Sequence, residues 1–180
     1  SVAQATGQWN CSTALTIGLN MNLPNPDFYR PCVGSMMINQ AGHAFVGKRI
    51  DGADTDFWQM PQGGVDPGED LDAAMLRELE EETGVRPHHL SISGTLGREL
   101  FYDLPPELQG KLWKGKYLGQ RQTWYLVRFS GEDHHIDLAA HKHPEFCEYK
   151  WIDPELLPRL IVPFKQPVYE AVLAAFRVYL

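Results

Sequence analysis

The sequence predicts a domain of mixed α and β structure, either α+β or a sheet sandwiched between helices. Three observations carry this. Short apolar runs bounded by turn residues recur at 33–38, 44–50, 91–100, 122–129 and 146–152, and each reads as a strand. Two segments, 70–82 and 163–180, carry helical signals instead. The two kinds of element are interleaved without regular βα alternation, and no internal repeat is present.

Composition sets the bounds. A chain of 180 residues suits one compact domain with at most a tail or an insertion. Eight Phe, seven Tyr and five Trp are too many buriable aromatics for a disordered chain. Sixteen Lys and Arg against 23 Asp and Glu leave a net charge of −7, which excludes a general nucleic-acid coating protein. The same charge disfavours polyanionic substrates unless metal ions mediate the contact. Cys11, Cys32 and Cys147 are odd in number and far apart, so reduced thiols are expected rather than a disulfide framework. No apolar run approaches the roughly 18 residues of a membrane span. No basic residue precedes Arg30, so the start does not read as a signal peptide. Cytoplasm is the expected compartment, or an organelle if a transit peptide has been removed.

In chain order, residues 1–28 are polar, small and nearly uncharged, and read as a flexible arm with one short apolar stretch at 15–19. The strand at 33–38, a turn at Gln40-Ala41-Gly42 and the strand at 44–50 form a hairpin. A polar loop at 51–56 and a short aromatic run at 57–61 lead to Gly63 and Gly64. The helix at 70–82 has Glu69 and Asp70 at its start, suited to the helix dipole, and Gly84 as its stop. Residues 102–119, rich in Pro, Gly and Lys, read as one long loop between strands; loops of this length are usually functional or disordered. The last helix carries Phe164, Val168, Ala171, Val172, Ala175, Phe176 and Tyr179 at helical spacing.

Chemistry concentrates on the first helix. Glu78, Glu81 and Glu82 stand at i, i+3 and i+4, so they share a face, and Arg77 is the only base on that helix. Such a run is ordinarily a solvated acidic face. It could equally hold a hard cation, since magnesium is bound by carboxylates together with substrate phosphates. The turn before the helix favours the second reading. Gly63, Gly64, Pro67 and Gly68 allow close backbone approach to a ligand and a sharp entry into the helix.

From Gly63 to Val85 the chain reads G-x5-E-x7-R-E-U-x-E-E-x-G-U, where U is apolar. Gly63, Glu69, Arg77, Glu78, Leu79, Glu81, Glu82, Gly84 and Val85 fill every fixed position. This resembles the signature of the Nudix hydrolases. Further matches extend over residues 29–179: Tyr29-Arg30-Pro31, Trp58-Gln59 with Pro61-Gln62-Gly63-Gly64, Gly119-Gln120-Arg121-Gln122, Pro144-Glu145-Phe146 and Val162-Pro163-Phe164-Lys165. They are similar to the subgroup holding the RNA 5′-pyrophosphohydrolases and the plant-type asymmetrical diadenosine tetraphosphate hydrolases. The resemblance implies an α/β protein, the Nudix α/β/α sandwich with a mixed sheet between helices, over residues 29–180.

It also implies roles. Glu78, Glu81, Glu82 and Glu145 are expected to bind Mg2+, or Mn2+, and the metal answers the charge objection by inverting the local field. Glu78 is the first choice of general base, with Glu82 and Glu145 behind it, because coupled carboxylates share such roles. Glu69 and Arg77 are expected to pair and hold the loop of Gly63 and Gly64 against the helix. Arg30, Arg49 and Lys165 are the candidate phosphate contacts. Phe164, Tyr102 and Tyr117 are candidates for stacking on a base, and Gln120 for a polar substrate contact. His134, His135, His141 and His143 match no zinc spacing and read as exposed loop residues.

The expected reaction is magnesium-dependent hydrolysis of a pyrophosphate bond in a nucleotide. Diadenosine tetraphosphate, cleaved to ATP and AMP, stands first. The 5′-triphosphate end of RNA stands second, because Gln166 follows Lys165 where a second basic residue is common in the RNA-processing members, and no basic tail follows. Guanosine tetraphosphate is a third substrate. A nucleotide-sensing module is the non-enzymatic alternative, opposed by the intact glutamates. No membrane partner is expected, and the sequence leaves the oligomeric state open.

Overall fold

The computed structural model describes residues 24–180. The expected arm therefore lies outside the described residues apart from its last five, of which Pro26–Phe28 form a 3-10 turn. The apolar stretch at 15–19 and Cys11 lie outside them too.

Seven strands form one mixed sheet: β1 (Tyr29–Ile38), β2 (Ala44–Arg49), β3 (Gln62–Gly64), β4 (Leu90–Thr95), β5 (Leu100–Asp103), β6 (Gly119–Phe129) and β7 (Phe146–Ile152). The main order is β4-β6-β1-β2-β7, with β3 beside β1 and β5 beside β6. Only β1 and β6 run parallel, in register from Tyr29 opposite Gly119 to Ile38 opposite Arg128; the other pairs are antiparallel. Three helices cover the sheet: α1 (Leu71–Thr83), α2 (Leu157–Leu160) and α3 (Gln166–Phe176).

Alternation along the strands divides the interior in two. Met36, Ile38, Trp124 and Leu126 face α2 and α3, packing with Leu157, Val168, Tyr169 and Val172. Val33, Met37, Tyr125 and Val127 face the other way, onto Ala74, Met75 and Leu79 of α1. This is the sheet between helices that the sequence predicts.

The first helix forms as its residues dictate. The Asp70 carboxylate accepts the Ala73 amide at 3.1 Å, and Gly84 takes the left-handed conformation at φ 73°. Elsewhere the structure corrects the boundaries. The expected strand at 91–100 is two strands: β4 ends at Thr95, the chain bends through Gly97 and Arg98, and β5 begins at Leu100. The last helix is shorter than 163–180: 3-10 turns at Pro163–Lys165 and Arg177–Tyr179 flank α3, and Tyr179 is exposed rather than part of the apolar stripe. The expected loop at 102–119 starts and ends inside β5 and β6 and contains a 3-10 turn at Leu112–Gly115. Strand β3 and helix α2 are not legible in the sequence, being three and four residues long.

Cys32 is buried and Cys147 exposed, both as free thiols. Among the described residues no helix is long and apolar enough to cross a membrane.

Candidate active site

The turn from β3 into α1 is fastened by one arginine. Arg77 donates from Nε to Glu69 Oε1 at 2.7 Å and from Nη2 to Glu69 Oε2 at 2.9 Å. The same Nη2 reaches the Gly64 carbonyl at 2.9 Å, and Nη1 reaches Glu78 Oε1 at 2.8 Å and Glu81 Oε2 at 3.4 Å. The Asp66 amide closes the turn by donating to Glu69 Oε2 at 2.9 Å. Held by the arginine and this amide, the Glu69 carboxyl falls to a pKa of about 2. The pair expected from the sequence is thus formed, and Arg77 also steadies two of the glutamates beside it.

The glutamates are graded in burial. Glu145 is exposed, Glu81 is half-buried, Glu78 has a mostly covered side chain, and Glu82 is 2% exposed. Glu82 Oε2 accepts the Gln62 amide at 2.9 Å, while its Oε1 is buried with no hydrogen-bond partner. Burial, then the charges of Glu145 and Glu78, push Glu82 well above the usual carboxylate range. Burial also raises Glu78, against the pull of Arg77. Gly63 leaves room for the Glu78 carboxylate, which a Cβ there would overlap.

Glu145 directly precedes β7, the edge strand beside β2. The Ile50 amide donates to its backbone carbonyl at 2.9 Å, fixing it at the end of β2. Arg49 Nη1 reaches Glu145 Oε2 at 3.3 Å, while Arg49 Nε and Nη2 grip both oxygens of Asp51 at 2.7 and 2.9 Å. Arg49 is therefore set between an acid of the site and Asp51.

These side chains share one cavity of about 470 Å³. Glu78, Glu81 and Glu145 form one wall, and Arg30, Arg49, Lys165, Phe164 and Gln120 line the rest. Arg30 lies against Gly64, where a Cβ would overlap its guanidinium. Lys165 Nζ sits 5.4 Å from the Tyr102 ring centre, and burial with Arg49 nearby lowers its pKa to about 8. Phe164 packs on Tyr102 at 5.7 Å between ring centres. Gln120 joins a chain in which Gln122 Nε2 donates to Gln120 Oε1 at 2.9 Å and to Gln62 Oε1 at 2.6 Å.

One candidate substrate contact lies apart from this cavity. Tyr117 does not line this cavity; it lines a neighbouring one with Arg121 and Glu99. Trp113 occupies the cavity instead, with the Arg30 guanidinium 5.3 Å from its ring centre. Trp113 and Lys114 have φ of 50° and 57°, a left-handed backbone that costs about 1–3 kcal/mol and swings the loop in this direction. Nothing in the sequence signals that turn. Asp51, Gln59 and Gln62 also line the cavity without having been singled out, although Gln59 and Gln62 stand in a matched motif.

Among the described residues no three His, Cys, Asp or Glu side chains converge into a closed ligand shell. The donor chemistry nevertheless fits a hard divalent cation. Glu78, Glu81, Glu82 and Glu145 supply only carboxylate oxygens, and the buried Oε1 of Glu82 has no hydrogen-bond partner.

The NUDIX domain family matches residues 28–172. The chain belongs to the Nudix family. An RNA pyrophosphohydrolase of Novosphingobium aromaticivorans is 57% identical over 149 residues, covering 83% of this chain and 92% of that one. An RNA pyrophosphohydrolase of Erythrobacter litoralis is 54% identical, covering 83% and 91%. Solved structures share the Nudix fold at 20% identity. An E. coli dihydroneopterin triphosphate pyrophosphohydrolase has a TM-score of 0.60, covering 79% of this chain and 95% of its own. A C. elegans Ap4A hydrolase has a TM-score of 0.57, covering 83% and 99%. The α/β Nudix sandwich expected from the signature is thus present, and the chain is a Nudix pyrophosphohydrolase.

Proposed function

We propose that this Nudix enzyme is an RNA 5′-pyrophosphohydrolase, removing pyrophosphate from the 5′-triphosphate end of RNA to leave a 5′-monophosphate. The observation that carries the reading is the close kinship with RNA pyrophosphohydrolases over more than nine-tenths of their length. It reverses the sequence-based order, in which diadenosine tetraphosphate stands first. The absence of a second base after Lys165 weighs less than identity over the whole domain, and the likeness to the Ap4A hydrolase reaches only the fold.

The cavity chemistry suits a nucleotide with several phosphates. Arg30, Arg49 and Lys165 offer bidentate and point-charge contacts to phosphate oxygens. Trp113 and Phe164 offer faces on which a base can stack, each worth about 1–3 kcal/mol. Gln120 offers an amide fixed by its glutamine neighbours.

Glu78, Glu81, Glu82 and Glu145 hold the divalent ion, Mg2+ in this reading, with Mn2+ as a substitute. Bound there, the ion neutralises the polyphosphate and lowers the pKa of the attacking water. In this reading Glu78 accepts the water proton; its support is the hold by Arg77 and the burial that raises its basicity. Glu69 and Arg77 keep it in line. Cytoplasm is the compartment this reading requires.

The test is product analysis on a 5′-triphosphorylated oligoribonucleotide with magnesium. The reading requires a 5′-monophosphorylated chain and release of pyrophosphate or of two phosphates. An RNA left intact by an enzyme that hydrolyses diadenosine tetraphosphate overturns it.

A further inference from the structure

The cavity described above is one of two that meet at the same glutamates. The second, of about 230 Å³, adjoins the first at Glu78, Glu81 and Glu145. Glu78, Glu81, Glu82 and Glu145 form one wall, and His141, Lys142 and His143 form the other. It contains no Phe, Tyr or Trp, and it is about half the volume of its neighbour. The first cavity offers stacking faces; the second offers only a basic side chain and two imidazoles opposite carboxylates.

The loop that carries these residues is fastened at both ends. The Asp137 amide donates to the Thr83 carbonyl at 2.9 Å, tying the loop to the end of α1. Gly84 permits this approach, since a Cβ there would collide with the Asp137 carbonyl. At the other end the Glu145 carbonyl accepts the Ile50 amide. Between the two ties, residues 141–143 are held along the glutamate face of α1. Among the described residues Lys142 forms no ion pair, so its charge is free for a ligand.

We propose that His141, Lys142 and His143 form the subsite for the departing phosphate or pyrophosphate, across the glutamates from the cavity that takes the nucleoside. The assignment rests on the pyrophosphohydrolase reading. A substrate stretched between the two cavities places its scissile anhydride beside Glu78, Glu81 and Glu145, the residues common to both. Lys142 supplies a point charge to the leaving group, and the imidazole N–H groups supply hydrogen bonds. The smaller side, without Phe, Tyr or Trp, takes the part of the substrate that has no base.

The test is calorimetric binding of inorganic pyrophosphate with magnesium to the whole chain, beside anisotropy binding of a 5′-monophosphorylated RNA. The variants are H141A/K142A/H143A and Lys142→Arg. All three positions are exposed, so the fold should survive. The triple variant should lose about tenfold in pyrophosphate affinity and keep its RNA affinity within about twofold, and Lys142→Arg should retain both, a tenfold loss being about 1.4 kcal/mol. Unchanged pyrophosphate affinity in the triple variant overturns the assignment. So does an equal fall for both ligands, or no pyrophosphate binding by the unaltered chain. Turnover of RNA by the unaltered chain is read separately, so failure of the substrate reading is distinguished from failure of the subsite.

Discussion

Arg77 and Glu69 meet through two parallel hydrogen bonds of 2.7 and 2.9 Å, and the same guanidinium also holds Glu78 and the Gly64 carbonyl. One side chain thereby sets the turn, the helix start and a site carboxylate together. Lys at position 77 keeps the charge but cannot make this fork. Arg77→Lys should lower kcat by about 10–100-fold, the usual cost of removing a group that orients a site, with little change in the circular dichroism spectrum. Equal kcat for the two proteins would show that Glu78 needs no such support.

The same pair gives the protein an acid-sensitive clasp. Glu69 has its folded-state pKa depressed from 4.5 to about 2. Its stabilisation is present above pH 4.5 and lost as pH falls towards 2. Thermal melts across this window should show a steeper acid loss for the natural chain than for Glu69→Gln.

Glu82 behaves in the opposite sense. Its pKa is raised by burial and by Glu145 and Glu78, so its contribution is fully present below the unfolded pKa and is lost as pH rises through the folded one. Glu82→Gln removes the buried charge and leaves an amide oxygen to accept the Gln62 N–H. At neutral pH with a chelator present, this variant should melt about 2–4 °C higher, for a gain of about 1 kcal/mol, while losing turnover. A lower melting temperature would mean that the carboxylate is not under strain.

Gly63→Ala separates activity from stability. The new methyl overlaps the Glu78 carboxylate, which can swing aside on its flexible chain. Turnover should fall at least about tenfold, as for a displaced catalytic group, while the melting temperature stays within about 2 °C. Full activity would show that the Glu78 position is not critical.

Lys165 has a pKa of about 8, so its charge is lost as pH rises through that value. The ratio kcat/KM should fall on the alkaline side near pH 8, and Lys165→Arg should move that limb upward because arginine stays protonated. A limb unmoved in the arginine variant would assign it to another group.

Residues with local signals were legible in the sequence, and those placed by distant packing were not. The glycine turn, the i, i+3, i+4 glutamates and the capping of α1 are short-range features, and the structure has them where the pattern expects them. The sequence reads 91–100 as one strand, whereas the chain bends at Gly97 and Arg98 and pairs with β6 on both sides of the bend. Trp113 is not legible, because the left-handed turn at Trp113 and Lys114 that accompanies its place beside Arg30 has no sequence signal. Tyr117, the reasonable choice by sequence, sits four residues beyond that turn and faces another cavity. His141 and His143 read as ordinary loop residues, since the ties at Asp137 and Glu145 that hold them beside α1 are long-range contacts.

The most direct measurement compares kcat/KM for 5′-triphosphorylated RNA and for diadenosine tetraphosphate under the same magnesium concentration, with Glu78→Gln as control. The account predicts a preference for RNA of at least about tenfold, or 1.4 kcal/mol of transition-state binding, and loss of both activities in the variant. A preference for the dinucleotide, or turnover that survives Glu78→Gln, would contradict it.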